Sequence, residues 1–136
     1  MPDKVKIERL RRRADFLAAA RHGRKLAKRS LVLQGRQRND VVRHDDLPDC
    51  GLAGRARVGF TVSRKVGNAV ERNRVRRRLR EAVRLRAAPL VRAGYDYVVI
   101  GRRAALTTSF ATIVSDLEQA FRRIHETAPE RALKGH

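Results

Sequence analysis

The sequence predicts an α+β fold: a single domain in which three helices pack on a mixed sheet of three to four strands. Three observations lead there. A chain of 136 residues suits one domain with a modest core. Segments with helical and strand-like hydrophobic periods follow one another in the order α, β, β, α, β, α, which indicates helices laid on a sheet. No segment repeats internally.

Residues 1–13 form a basic arm without sustained apolar periodicity, expected to stay mobile until it meets a partner. The folded domain is placed at 14–128. It opens near Asp15 with a short helix, because Phe16, Leu17 and Ala20 stand among good helix formers and Gly23 after His22 ends the run. Ser30–Arg36 alternates as a strand, with Leu31 and Leu33 on one face and Val32 and Gln34 on the other. In Arg57–Arg64 the alternation is clearer. Val58, Phe60 and Val62 face one side and Arg57, Thr61 and Ser63 the other, as in a half-buried antiparallel strand.

Between these strands, Asn39–Arg55 is rich in Asp, Gly and Pro and reads as a long hairpin connection. Its Asp40, Asp45, Asp46 and Asp49 read as solvated carboxylates, since no second ligand cluster accompanies them. A second helix spans about Asn68 to Ala87: Asn68 can cap the first turn, Glu71 can reach back to it, and Pro89 marks the end. Tyr95–Gly101 is a continuous apolar run suited to a strand covered on both faces. The last helix begins near Thr108 or Ser109, where Phe110, Ile113, Val114, Leu117, Phe121 and Ile124 make a core stripe. Residues 129–136 are polar and expected to fray.

Charge narrows the function. Lys and Arg number 33 against 14 Asp and Glu, giving a formal net charge of +19 and a pI near 11.7, so a polyanionic partner is expected. Most of the cations are arginines, whose planar guanidinium grips phosphate bidentately and stacks on bases. That balance favours nucleic acid. The single Cys50 cannot form an internal disulfide, and no Cys/His spacing suits zinc, as expected for a reducing, cytoplasmic setting. The N-terminus is charged throughout and no run of about 18 apolar residues occurs, so no membrane role is expected. His22, His44, His125 and His136 stand without a partnered nucleophile; neither a catalytic set nor a metal site in the protein itself is expected.

Arg64–Arg86 holds the densest charge. Wound at about 100° per residue, Val75, Leu79, Ala82 and Val83 gather on one side. Asn73, Arg77, Arg80 and Arg84 fall opposite, with Arg74 and Arg76 on the flanks. Arginines three and four residues apart repel one another and weaken a helix, an arrangement that makes sense when phosphates neutralise them. Arg72 falls nearer the apolar side, where it could pair with a carboxylate. Gly67 precedes the helix, where it permits a sharp turn or close approach of another chain.

The ordered stretch from Arg57 to Glu81, with Val58-Gly59-Phe60-Thr61-Val62-Ser63-Arg64-Lys65-Val66-Gly67-Asn68 followed by Arg72-Asn73-Arg74, resembles the signature of the bacterial ribonuclease P protein family, whose hallmark is an Arg-Asn-Arg helix. A weaker likeness runs from about Arg9 to Arg123 and includes Asp15-Phe16 and His22-Gly23. The resemblance implies a left-handed βαβ crossover through the Arg-Asn-Arg helix. It also implies the function of a protein subunit of ribonuclease P, an endoribonuclease whose RNA subunit holds the catalytic centre and uses Mg²⁺ to remove the 5′ leader from precursor tRNA.

Such a protein is expected to join the catalytic RNA as one chain per RNA, to help hold the substrate, and to lower the Mg²⁺ requirement. Carried over residue by residue, the resemblance assigns RNA contacts to Arg64, Lys65, Asn68, Arg72, Asn73, Arg74, Arg76, Arg77 and Arg80. A cleft between the first helix and the open sheet face, with Phe16, Gln34, Thr61 and Ser63, is implied for the leader. Family members often line this cleft with several aromatics, whereas this chain has Ala20 and Gln34 where rings are expected. Each base stacked on a ring contributes about 1–3 kcal/mol, so leader binding is expected to rest more on hydrogen bonds and charge.

A ribosomal or general RNA-binding protein would share the size and charge but leaves the long motif unexplained. A sequence-independent DNA-binding protein is disfavoured because no dimer seam or helix-turn-helix glycine turn is evident. Membrane binding by the basic helix is disfavoured because its apolar stripe lacks aromatic anchors.

Overall fold

The computed structural model describes residues 6–37 and 55–134, with side chains described for 7–37 and 55–126. Its elements are β1 (Lys6–Arg9), α1 (Arg13–His22), β2 (Arg24–Ala27), β3 (Leu31–Gln37), β4 (Arg55–Thr61), α2 (Ala69–Arg86), β5 (Tyr95–Gly101) and α3 (Phe110–Lys134). Short 3-10 turns at Arg64–Val66 and Arg103–Leu106 lead into α2 and α3. The strands form one sheet in the order β1-β4-β5-β3-β2. β4 pairs in parallel with β1 and β5, and β3 pairs antiparallel with β5 and β2.

This mixed α+β sheet has five strands, more than the three to four expected. The added strands are β1 and β2, each four residues long and each placing one apolar side chain, Ile7 or Leu26, against the main core. Strands so short carry almost no period; main-chain pairing to a longer neighbour holds them. The basic arm expected over 1–13 is therefore strand at Lys6–Arg9, its backbone paired with Arg55–Val58, while residues 1–5 lie outside the described residues.

β3 and β4 do not form a hairpin, because β5 lies between them, and β4 is parallel to both neighbours rather than antiparallel. Central placement accounts for the unbroken burial of Asp96, Tyr97, Val98 and Val99. Arg55 opens β4, whereas Asp40, Asp45, Asp46 and Asp49 lie outside the described residues. α3 continues to Lys134, past the expected limit at 128 and into the tail expected to fray.

The main core lies between the sheet and the layer of α2 and α3. Leu31, Leu33, Val58, Tyr97 and Val99 from the sheet meet Val75, Leu79 and Val83 from α2 and Ile113, Leu117, Phe121 and Ile124 from α3. α2 seats directly on β5 because Gly101 has no side chain: a Cβ there would lie 2.6 Å from Val75 Cγ1 and 3.1 Å from Leu79 Cδ1. The opposite sheet face carries a much smaller cluster, in which Leu10, Ala19 and Val98 pack with Phe16 and Ile100 beneath α1.

Candidate nucleic-acid interface

α2 is built to hold its side chains at fixed spacing. Asn68 Oδ1 accepts the Glu71 N–H at 2.9 Å and Glu71 Oε1 accepts the Asn68 N–H at 2.9 Å, the reciprocal cap expected from the sequence. Gly67 turns the chain into it at φ 154°, and a Cβ there would fall 2.1 Å from Glu71 Oε1, so both conformation and space call for glycine. Val75, Leu79, Ala82 and Val83 are its buried stripe.

The arginines of this helix have different fates. Arg78 donates to the carbonyls of Ala105 at 2.7 Å and Thr108 at 2.8 Å, fastening α2 to the turn before α3. Arg72 donates to the Gly67 carbonyl at 3.0 Å, so a main-chain oxygen takes the place of the expected carboxylate. Arg103, in the turn before α3, donates to the Val66 carbonyl, and Arg102 to that of Lys28 at 3.1 Å. Arg84 pairs with Glu81, which its hydrogen bond and charge hold below the usual carboxylate range. Arg76 donates to Asn73 Oδ1 at 2.9 Å.

Arg64, Lys65, Arg74, Arg77 and Arg80 are exposed, and none makes a side-chain hydrogen bond or ion pair among the described residues. Arg80 lies with its guanidinium carbon 5.9 Å from the centroid of the Phe60 ring. The exposed Asn73 and partly exposed Arg76 complete this outer face, while the exposed Asn68 is occupied as the cap.

The sheet face beneath α1 is ordered in rows across the strands. Arg57, Asp96 and Arg36 form one row; Gly59, Val98, Gln34 and Lys25 the next; Thr61, Ile100, Val32 and Ala27 the third. α1 covers the first two. Phe16 rests on Gly59, where a Cβ would come within 2.5 Å of the ring. The third row is left uncovered beside α1, with Thr61 and Ala27 exposed and Ile100 and Val32 partly exposed.

Thus the structure gathers Phe16 and Thr61 along one face. Ser63 is exposed just beyond β4, and its hydroxyl accepts the Lys65 N–H at 3.2 Å. Gln34 departs from the expected open position: it is only 5% exposed, since α1 folds back over its row. The set Arg57, Asp96 and Asp15 joins three elements and is not evident from the sequence. Its one signal was a charged residue, Asp96, inside the apolar run of β5.

His125 packs on the other face, with its Nε2 2.7 Å from the Tyr97 hydroxyl. The Arg92 N–H donates to that hydroxyl at 2.9 Å, so the hydroxyl proton is directed to a neutral imidazole. Burial, followed by the charges of Arg92 and Arg24, pushes His125 down to about 4. It is a partly buried histidine packed on Tyr95 and Tyr97; His44 and His136 lie outside the described residues.

A family model described as ribonuclease P matches residues 5–125. The chain belongs to the ribonuclease P protein family. Its relatives include the ribonuclease P protein components of Ruegeria pomeroyi, 45% identical over 124 residues and 90% of both chains, and of Gluconacetobacter diazotrophicus, 46% identical over 120 residues and covering 87% of this chain and 91% of the relative. The ribonuclease P protein of Thermotoga maritima superposes with a TM-score of 0.66 at 29% identity, covering 85% of this chain and 96% of that one.

The chain is accordingly a protein subunit of ribonuclease P, the tRNA-processing endoribonuclease, and associates with the RNA of that enzyme. Among the described residues, no helix of this ribonuclease P protein is long and apolar enough to cross a membrane.

Proposed function

We propose that the outer face of α2 grips the catalytic RNA and that the trough between α1 and the sheet holds the single-stranded 5′ leader of precursor tRNA. The division among the cations of α2 and of the turn before it carries this reading. Arg72, Arg78 and Arg84 are engaged within the protein, whereas Arg64, Lys65, Arg74, Arg77 and Arg80 are left outward, and Asn73 and Arg76 are mutually arranged beside them. Outward guanidiniums on one rigid helix suit the phosphates of a folded RNA. In the trough, the partly exposed Phe16 ring and the hydroxyls of Thr61 and Ser63 are available to unpaired nucleotides, whereas Gln34 is closed off beneath α1.

One chain serves each RNA in the cytoplasm. By screening phosphates where RNA and substrate meet, it lowers the Mg²⁺ concentration the reaction needs. The Mg²⁺ itself is assigned mainly to the RNA subunit and the substrate.

The deciding experiment is cleavage of a precursor tRNA by a bacterial ribonuclease P RNA at low Mg²⁺, with and without the protein. Strong activation with a cut at the mature 5′ end is expected; binding without activation would leave a general RNA-binding role. Replacing Arg76, Arg77 and Arg80 together with alanine should weaken RNA binding and reduce its salt slope by about 0.7–0.9 for each phosphate no longer neutralised. Unchanged binding would remove α2 from the interface. Thr61→Leu with Ser63→Leu should impair substrates with long leaders more than those with short ones, and an equal effect would remove the trough assignment.

A further inference from the structure

Asp96 is the one buried carboxylate among the described residues, with no exposed surface. A carboxylate in a sheet interior is tolerated only when paired and hydrogen-bonded. Arg57 on β4 supplies both: its Nε donates to Oδ1 at 2.8 Å and its Nη2 to Oδ2 at 2.9 Å, while Arg36 on β3 approaches Oδ2 at 3.9 Å. This bidentate grip fixes the plane of the Arg57 guanidinium. Its Nη1 then lies 3.4 Å from Asp15 Oδ2 in the first turn of α1. One arginine therefore reaches from the interior of the sheet to the helix above it.

α1 has little else to fix its pose. It has 10 residues, Arg12 at its N-cap makes no side-chain hydrogen bond, and Ala19 is its only buried residue. The residue after Asp15 is Phe16, seated on Gly59, and Gly59 follows Arg57 by two residues on the same strand face. The ionic tie and the ring seat thus occupy consecutive steps of β4.

We infer that Arg57, locked by Asp96, is a positioning residue for the leader site: through Asp15 it fixes the height and tilt of α1 over the sheet, and so the width of the trough and the place of the Phe16 ring. This rests on the assignment of the trough to the leader. Arg57 acts through the helix, and its contribution appears only when a leader occupies the trough.

The test uses reconstituted holoenzyme carrying Asp15→Ala, Asp15→Glu or Phe16→Ala, with precursor tRNAs bearing either a long leader or a single leader nucleotide. Asp15→Ala removes only the helix end of the tie and leaves the buried Arg57–Asp96 pair intact, so melting temperature and affinity for the RNA subunit should match the parent. The KM for the long-leader substrate should rise about five-fold, as expected for loss of one partly buried ion pair. kcat and the short-leader KM should stay at parental values, and Asp15→Glu should recover most of the loss. Amide hydrogen exchange should quicken across residues 13–22 and not across α2. If Phe16→Ala selectively impairs long leaders and Asp15→Ala does not, the positioning role is wrong while the leader assignment stands. If Phe16→Ala affects both substrates equally, the leader assignment fails and the positioning role falls with it.

Discussion

α2 and α1 lie on opposite faces of one sheet and are held to it by different forces. α2 has a reciprocal cap, four buried side chains, a glycine on β5 that admits it to close packing, and the Arg78 fork on the carbonyls ahead of α3. α1 has an uncapped start, one buried alanine, a ring resting on Gly59 and an ion pair. The face proposed to meet a large folded RNA is rigid before that RNA arrives, since charges matched to fixed phosphates gain little if they must first be ordered. The face proposed to take a single flexible strand is held by a few polar links, which specify a pose with little buried area.

The sharpest way to break this comparison is to truncate an equivalent residue on each helix. Leu79→Ala, at a site with no exposed surface, should cost about 3 kcal/mol of unfolding free energy. Leu17→Ala, at a site 46% exposed, should change it by no more than about 0.5 kcal/mol. Denaturant unfolding measures both, and equal losses would mean that α1 is anchored by apolar burial after all.

Acid provides a second distinction, because the layer under α3 contains the half-buried His125. Its folded-state pKa of about 4 lies below the ordinary 6.5, so the unfolded chain takes up the proton first as pH falls. The stability contributed by neutral His125 is present in full above about pH 6.5 and is lost as the pH drops toward 4. Between pH 7 and 4.5 the parent should lose about 2 kcal/mol more than His125→Gln, allowing for solvent screening of a partly exposed ring. Parallel pH profiles for the two proteins would show that the imidazole does not carry this dependence.

The smallest effects concern the helix starts. Asn68→Ala should destabilise by about 1 kcal/mol, whereas Arg12→Ser, which supplies the cap that α1 lacks, should stabilise by about 0.5 kcal/mol. Thermal melting of both variants tests the contrast, and a gain from neither cap would place the weakness of α1 elsewhere.

α2 was legible in the sequence because its evidence is local: Asn68 and Glu71 stand three residues apart, and its apolar and cationic stripes follow the helical period. β5 was legible for a similar reason, as a compact apolar run. Strand order was not, since the insertion of β5 between β3 and β4 depends on contacts far apart in the chain. β1 and β2 were hidden by their brevity. Within the candidate site, Arg77 and Arg78 look alike in the sequence, yet Arg78 finds the Ala105 carbonyl 27 residues along. Gln34 was placed on the correct sheet face, but nothing near it in the sequence shows that α1 closes over that part of the face. The tie among Asp15, Arg57 and Asp96 joins three elements and becomes visible only when they are assembled.

The arginines bound to main-chain oxygens divide this very basic chain into positions that tolerate drift and positions that resist it. A lysine on the outer face of α2 would still present a positive charge to phosphate, though without the bidentate fork. At Arg72, Arg102 and Arg103 the Nη1 alone reaches a main-chain carbonyl, and at Arg78 both terminal nitrogens do, spanning the carbonyls of Ala105, Leu106 and Thr108. A single ammonium on a flexible stem cannot reproduce that span. Equal charge therefore does not make Arg78 interchangeable: an exchange to lysine there, leaving the net charge untouched, would loosen the joint between α2 and the turn before α3, and the chain would pass any test of composition while losing part of its architecture.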